Sequence, residues 1–130
     1  VLQFPMQWYS TPALLKQWQD AVLTRMAYIN WKSEGAGLAG KPLMVAVTMG
    51  ADQATYRPDG RNRFTIAELL APLQASANRF AMDWQDPFLV FGAGCLSEDD
   101  LAEAGQAYTR ALSRLASLPV APSLHDSRAA

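Results

Sequence analysis

The chain has 130 residues, half of them hydrophobic, which is long enough for one domain with a buried core. Twelve acidic against eleven basic side chains give a net charge of −1 without a basic run, and this balance argues against a nucleic-acid surface. The longest apolar runs are too short to span a bilayer. A single cysteine, Cys95, excludes an intrachain disulfide and fits a cytoplasmic location, and no Cys or His spacing predicts a metal site.

Residues 1–4 form a short apolar run that predicts the end of a buried strand. Because the sequence opens inside this strand and without methionine, we expect an amino-terminal part to be missing. Trp8 and Tyr9 follow in a loop, and Thr11 and Pro12 favour a helix start as N-cap and first-turn residue. In open parallel sheets, loops of this kind bind ligands. The two rings would suit a planar ligand, and packing into the core explains them equally well.

Apolar residues at helical spacing over residues 12–26 predict an amphipathic helix with one face on a sheet. Its predicted buried face consists of Leu14, Leu15, Trp18, Ala21, Val22 and Met26. Residues 32–41 are rich in glycine, lack periodicity and predict a mobile loop. Before this loop, Tyr28 and Trp31 could close over a ligand, pack against a second subunit or anchor the loop. For Trp31 the anchoring role is favoured.

Residues 43–48 are continuously apolar, which is typical of a central parallel strand buried on both faces. In the loop that follows, Gly50 permits a ligand to approach the backbone closely, and the Thr48 hydroxyl can donate a hydrogen bond to it. Many strands end in this way, so the pattern alone is not specific.

Thr65 and Glu68 form a capping box that predicts the start of a long helix, and Pro72 inside it predicts a kink. Its apolar stripe, expected in the core or in a dimer interface, consists of Ile66, Leu69, Leu70, Leu73, Ala77, Phe80 and Ala81. A turn at residues 83–87 leads to a third predicted strand at residues 88–91. Ser97 and three carboxylates then open the last helix. Alternating strands and helices predict an α/β fold.

The sequence Phe-Pro-Met-Gln-Trp-Tyr-Ser at residues 4–10, followed by Pro-Ala-Leu-Leu-Lys at residues 12–16, resembles the flavin-contacting segment of the flavodoxin-like NAD(P)H:quinone oxidoreductases. That family includes DT-diaphorase, the modulator-of-drug-activity enzymes and the ancillary flavoproteins of glutathione-gated potassium efflux systems. The resemblance implies a flavodoxin-like, doubly wound parallel sheet over residues 1–118, with its amino-terminal strands missing from this chain. We expect a disordered tail at residues 119–130, which contains the only histidine, His125.

The resemblance also implies a cofactor, FMN or FAD, with NAD(P)H as co-substrate and a quinone-like acceptor reduced by ping-pong hydride transfer. The residues that match flavin contacts of the family are Pro5, Met6, Gln7, Trp8, Tyr9, Thr48, Met49, Gly50, Ala51 and Tyr56. Tyr9 and Tyr28 match positions of the family's stacking pocket, where they are assigned catalytic roles. In the family, the tyrosine that matches Tyr28 reaches the pocket of the partner subunit, which implies a homodimer.

Two departures from the family pattern are informative. The loop at residues 48–51 carries Met49 and Ala51 where the family has Thr and Gly, so the loop should differ locally if Ala51 occupies a left-handed position. Asn62 and Arg63 lie near the position at which some relatives carry a substrate-pocket histidine, and this sequence has no histidine there. Arg61 or Arg63 could meet the cofactor's phosphates or remain solvated.

Two alternatives to the enzyme stay open. The segment at residues 5–10 resembles the potassium-efflux branch especially closely, so the chain could be a regulatory flavoprotein bound to a transporter at the inner face of the membrane. It could also be an inactive, truncated remnant.

Overall fold

The computed structural model describes residues 1–120, so most of the predicted tail, including His125, lies outside the described residues. The strands are β1 (Leu2–Pro5), β2 (Pro42–Leu43), β3 (Val45–Thr48), β4 (Asp83–Trp84) and β5 (Phe88–Val90). The α-helices are α1 (Ala13–Trp18), α2 (Ile66–Arg79) and α3 (Glu98–Ser117). Within residues 1–120, no helix is both long and apolar enough to cross a membrane.

The main sheet has three parallel strands in the order β1-β3-β5. The central strand β3 is buried on both faces, as its apolar run predicts, and Val45 and Val47 are among its fully buried side chains. The core cluster joins this strand to Phe4 of β1 and to the apolar stripe of α2. The α/β architecture predicted from the sequence is confirmed.

The predicted single strand at residues 43–48 is divided at Met44. Its first part, β2, forms a separate two-stranded parallel sheet with β4, whereas β3 pairs with β1 and β5. The prediction of a plain turn at residues 83–87 is therefore wrong for Asp83 and Trp84. Backbone hydrogen bonds from Asp83 to Lys41 and from Gln85 to Leu43, at 3.0 and 2.9 Å, hold the added strand in place.

The first helix differs most from its prediction. Only α1 is α-helical, and two π-helical stretches, Gln19–Leu23 and Arg25–Ile29, continue it. Hydrogen bonds of the i→i+5 type change the angular spacing, so a face drawn at 3.6 residues per turn does not stay on one side. Leu14 is 79% exposed, and Trp18 and Ala21 are also exposed, so all three were wrongly placed on the buried face. Pro12, not Thr11, is the N-cap, without a side-chain cap.

Helix α2 begins with the predicted capping box and continues unbroken through Pro72, which lies on its exposed side. The glycine-rich segment before β2 contains a short 3-10 helix, Gly35–Leu38. Gly35 is buried, and a Cβ atom there would lie 2.5 Å from both the Met26 carbonyl oxygen and the Trp31 ring. Trp31 stacks on Phe80 with ring centroids 6.0 Å apart, which confirms its anchoring role.

Candidate functional site at the carboxyl edge of the sheet

The three parallel strands end together at Pro5, Thr48 and Val90, so the loops that follow them meet at one edge of the sheet. Backbone hydrogen bonds join these loops: Met6 donates to Thr48 at 2.9 Å, and Met49 donates to Val90 at 2.8 Å. The loop predicted from the sequence to bind a ligand therefore lies at the carboxyl edge, where open parallel sheets bind their ligands.

The loop after β1 is a tight hairpin turn with Trp8 and Tyr9 at its two central positions. Gln7 and Ser10 exchange backbone hydrogen bonds, both of 3.0 Å, across the turn. Trp8 and Tyr9 both have positive φ angles, 47° and 63°, which is the pattern of a type I′ turn. Such positions normally carry glycine, asparagine or aspartate, because a bulky side chain there costs about 1–3 kcal/mol.

This turn points its aromatic side chains away from the core. Trp8 is 94% exposed and Tyr9 is about half exposed, so the alternative that the two rings pack into the core is excluded for this structure. Backbone strain that does not serve packing clusters at functional sites. The turn is therefore the first element of the candidate site.

A second tyrosine from another loop lies beside the turn. Tyr56 is half-buried, and its ring packs at a tilt against Phe91 with centroids 5.9 Å apart. Burial raises the pKa of the Tyr56 hydroxyl, the neighbouring Tyr9 raises it further, and the guanidinium of Arg61 acts in the opposite direction. Tyr9 and Tyr56 are distant in the sequence, so it is the fold that brings them within electrostatic range of each other.

A cavity of about 460 Å³ opens between the loops that follow β3 and β5. Its lining consists of Gly50, Ala51, Asp52, Ala54, Thr55, Arg61, Gly92 and Cys95. A Cβ atom built on Gly50 would meet nothing within 4 Å, so the backbone there is open to a ligand. Thr55 and Arg61 line this cavity and directly neighbour Tyr56 and Asn62 in the chain. Because Asn62 bonds to Tyr9, the cavity and the tyrosine pair belong to one site.

Two residues of the β3 loop behave differently from expectation. Met49 is 1% exposed and belongs to the core, and its backbone N–H and carbonyl bond to Val90 and Ala93, so its side chain does not face the cavity. Ala51 is not among the residues with positive φ, so the alanine is compatible with the loop.

The other assigned residues lie around this edge in different settings. Pro5 and Gln7 are exposed and Met6 is half-buried. Thr48 is half-buried and lines a separate groove of about 340 Å³ between the sheet and α3. Among residues 1–120, no group of three or more His, Cys, Asp or Glu side chains could hold a metal ion.

Tyr28 lies outside this cluster. It is 74% exposed and lines a groove of about 470 Å³ between the first helical segment and α2. The guanidinium of Arg79 lies 5.5 Å from the Tyr28 ring centroid and 5.2 Å from that of Trp31. Within one chain, the structure does not join Tyr28 to the tyrosine pair. Arg79 was not predicted, because cation–π contacts between distant elements leave no local sequence pattern.

Asn62 is a residue of the site whose contact the sequence did not reveal. Its side-chain oxygen Oδ1 accepts a hydrogen bond of 3.3 Å from the Tyr9 hydroxyl. The sequence indicated only that Asn62 lies near a position at which some relatives carry histidine. A tertiary contact across 53 positions could be found only once the loops were placed.

The chain has a parallel sheet with helices packed on it, and aromatic loops and an accessible glycine lie at the carboxyl edge of that sheet. These features are typical of open α/β proteins that bind a ligand at this edge. The family model described as "Flavodoxin-like fold" matches residues 1–115. The chain belongs to this family, and the resemblance to flavodoxin-like NAD(P)H:quinone oxidoreductases is confirmed.

Among curated proteins, the chain is 41% identical over 108 residues to "General stress protein 14" of Bacillus subtilis, covering 82% of this chain and 59% of the relative. It is 40% identical over 113 residues to the "Glutathione-regulated potassium-efflux system ancillary protein KefG" of Cronobacter sakazakii, covering 85% and 59%. The chain thus spans less than two thirds of the length of these relatives.

Two solved structures also share this architecture. An NADPH-quinone reductase from P. pentosaceus is 34% identical with a TM-score of 0.75, covering 85% of this chain and 64% of that one. A general stress protein 14 from Treponema denticola, in complex with FMN, is 36% identical with a TM-score of 0.70, covering 90% and 64%.

Proposed function

We propose that this chain forms the flavin-binding edge of an NAD(P)H oxidoreductase that reduces quinone-like acceptors. The observation that carries the proposal is the left-handed Trp8–Tyr9 turn, which exposes two aromatic side chains at the same sheet edge as the open backbone of Gly50. Flat aromatic walls and free backbone N–H groups are what a planar, polar-edged ring requires.

The residues present fit a flavin. Trp8 and Tyr9 would contact the ring system, with Met6 and Gln7 at the start of the turn and Tyr56 on the opposite loop. Arg61 is the cation of the cavity and would meet the phosphate. FMN is favoured over FAD because one structural relative is described as an FMN complex. When bound, the flavin supplies two-electron hydride chemistry with NAD(P)H and the acceptor, which we place in a ping-pong order.

This chain's own contribution is binding and orientation. Tyr9 presents its ring beside the acceptor. The Tyr56 hydroxyl, like that of an ordinary tyrosine, is neutral near pH 7 and can donate a hydrogen bond, and burial raises its pKa further. The flavin-platform role is tested by titrating the purified protein with FMN, following flavin fluorescence, and then measuring quinone-dependent oxidation of NADPH. Stoichiometric FMN binding with quinone turnover is expected. A protein that binds no flavin would contradict the proposal and favour the inactive, truncated remnant.

A homodimer is the second part of the proposal. Leu14 and Trp18 on α1, and Tyr28 and Ile29 at the end of the π-helical stretches, are large apolar side chains exposed on one chain. We propose that a partner covers them, and the resemblance to the family implies that this partner contributes its own Tyr28 to this chain's edge site. Light scattering on the complete protein, and not on the 130-residue chain alone, tests this, and a fully active monomer would contradict it.

A regulatory role is the second candidate function, favoured by the 40% identity to a potassium-efflux ancillary protein. In that role the chain would bind a membrane transporter from the cytoplasmic side. Co-purification with a potassium-efflux transporter, and a change in transport when the protein is removed, would support this role. Quinone reduction with unchanged transport favours the enzyme alone.

A further inference from the structure

The hydrogen bond between the Tyr9 hydroxyl and Asn62 Oδ1 is the side-chain contact that ties the aromatic turn to the loop before α2. We infer that Asn62 is a positioning residue, whose side chain holds the Tyr9 ring in place for stacking at the carboxyl edge. This inference rests on the proposed function, because the ring's role in stacking is part of that proposal.

Asn62 is suited to this role because its own backbone is firmly placed. Its N–H donates to the Thr55 carbonyl oxygen at 3.1 Å. Just before it, Gly60 lies so close to the same segment that a Cβ atom would be 2.6 Å from the Ala54 carbonyl oxygen and 2.7 Å from that of Thr55. The segment is therefore fastened to the 3-10 turn Gln53–Thr55, and the Asn62 side chain extends from a rigid base.

Tyr9 needs such support because its own surroundings do not fix its ring. It occupies a left-handed position in an exposed turn and is about half exposed, so core packing does not restrict its rotamer. A hydrogen bond from the far end of the ring restricts both its side-chain torsions. The ring is thereby kept near Tyr56, whose pKa is raised in part by Tyr9.

An amide is a suitable acceptor for this purpose. Asparagine does not titrate, so its oxygen accepts the tyrosine hydrogen bond across the physiological pH range. Histidine at the same place would change its donor and acceptor pattern near pH 6.5. The Asn62→His variant should therefore acquire an additional pH dependence in quinone turnover between about pH 5.5 and 7.5, measured relative to the unmodified protein.

The test uses the complete protein and four variants. Asn62→Leu removes the acceptor at similar size, Tyr9→Phe removes the donor, Asn62→Asp keeps an acceptor, and the double variant joins the first two. Loss of one net hydrogen bond should lower kcat/KM for a quinone such as menadione about two- to tenfold in either single variant. The double variant should be no worse than the singles, and Asn62→Asp should recover most of the loss. Asn78→Leu, an exposed asparagine on α2, is the matched control and should change nothing.

A readout without flavin separates this inference from the proposed function. With 3-fluorotyrosine incorporated, the Tyr9 resonance is assigned by its disappearance in Tyr9→Phe, and its ¹⁹F shift should move in Asn62→Leu but not in Asn78→Leu. An unmoved resonance, or additive losses in the double variant, would overturn the positioning role. A moved resonance in a protein that binds no FMN would instead overturn the proposed function while leaving the contact intact.

Discussion

At the scale of single residues, replacing Tyr9 distinguishes a role in turnover from a role in core packing. Because its ring is half exposed, Tyr9→Ala should lower quinone turnover strongly while changing the melting temperature little. Trp18 was predicted to lie on the buried face of its helix, but it is exposed and therefore cannot serve as a buried aromatic control. Leu70, which is buried under the sheet, is the proper control: Leu70→Ala should cost about 2–5 kcal/mol of stability. Parallel thermal melts and turnover assays on both variants decide the matter, and a Tyr9→Ala protein that unfolds like Leu70→Ala would refute the flavin-platform role.

Trp8 gives a second prediction at this scale, based on backbone strain. Its φ of 47° is unfavourable for a bulky residue, and its side chain is solvent-exposed, so little packing is lost on replacement. Trp8→Asn should therefore raise stability by about 1 kcal/mol, because asparagine tolerates this conformation. FMN affinity should fall in the same variant. A melting temperature lowered by this substitution would show that Trp8 is not strained.

At the scale of elements, the capping boxes of α2 and α3 make the stability of these helices depend on pH. Hydrogen bonds from Thr65 lower the pKa of the Glu68 carboxyl, and those from Ser97 lower the pKa of Asp100. A lowered pKa in the folded state contributes stability above the unfolded pKa, and that stability is lost as the pH falls through the folded pKa. Glu68→Gln, which retains a neutral cap, should melt below the unmodified protein at pH 7. The gap should close below about pH 4, as melts across pH would record. Glu103→Gln, inside α3 and outside both capping boxes, is the control for replacing one carboxylate by an amide.

The elements also show why sequence reading succeeded in some places and failed in others. The capping boxes, the buried strand β3 and helices α2 and α3 were predictable because each is encoded by neighbouring residues. The π-helical winding after α1 was not, because it shifts the periodicity on which the prediction depends. At the site, the aromatic loop could be placed at a strand end, but not its left-handed turn. The Tyr9–Asn62 contact depends on the fold bringing distant loops together.

At the scale of the whole molecule, the order β1-β3-β5 leaves β1 paired on only one side in the described structure. Unpaired parallel edges attract further strands, and β1 carries no charged side chain to prevent this. We therefore expect the 130-residue chain, expressed alone, to associate beyond a dimer as its concentration rises. Multi-angle light scattering measures this directly, and a monomer or dimer at all concentrations, with a cooperative thermal transition, would contradict it.

The same edge can be tested by adding a charge to it. Val1 is exposed immediately before β1, and Val120 is exposed after α3, at a different place in the chain. Val1→Lys and Val120→Lys change residue type and net charge equally, so a general effect of charge on solubility would be the same in both. If β1 is the associating edge, Val1→Lys should reduce the apparent mass at high concentration, whereas Val120→Lys should leave it near that of the unmodified chain. Equal effects of the two substitutions would mean that net charge, and not the β1 edge, controls the association.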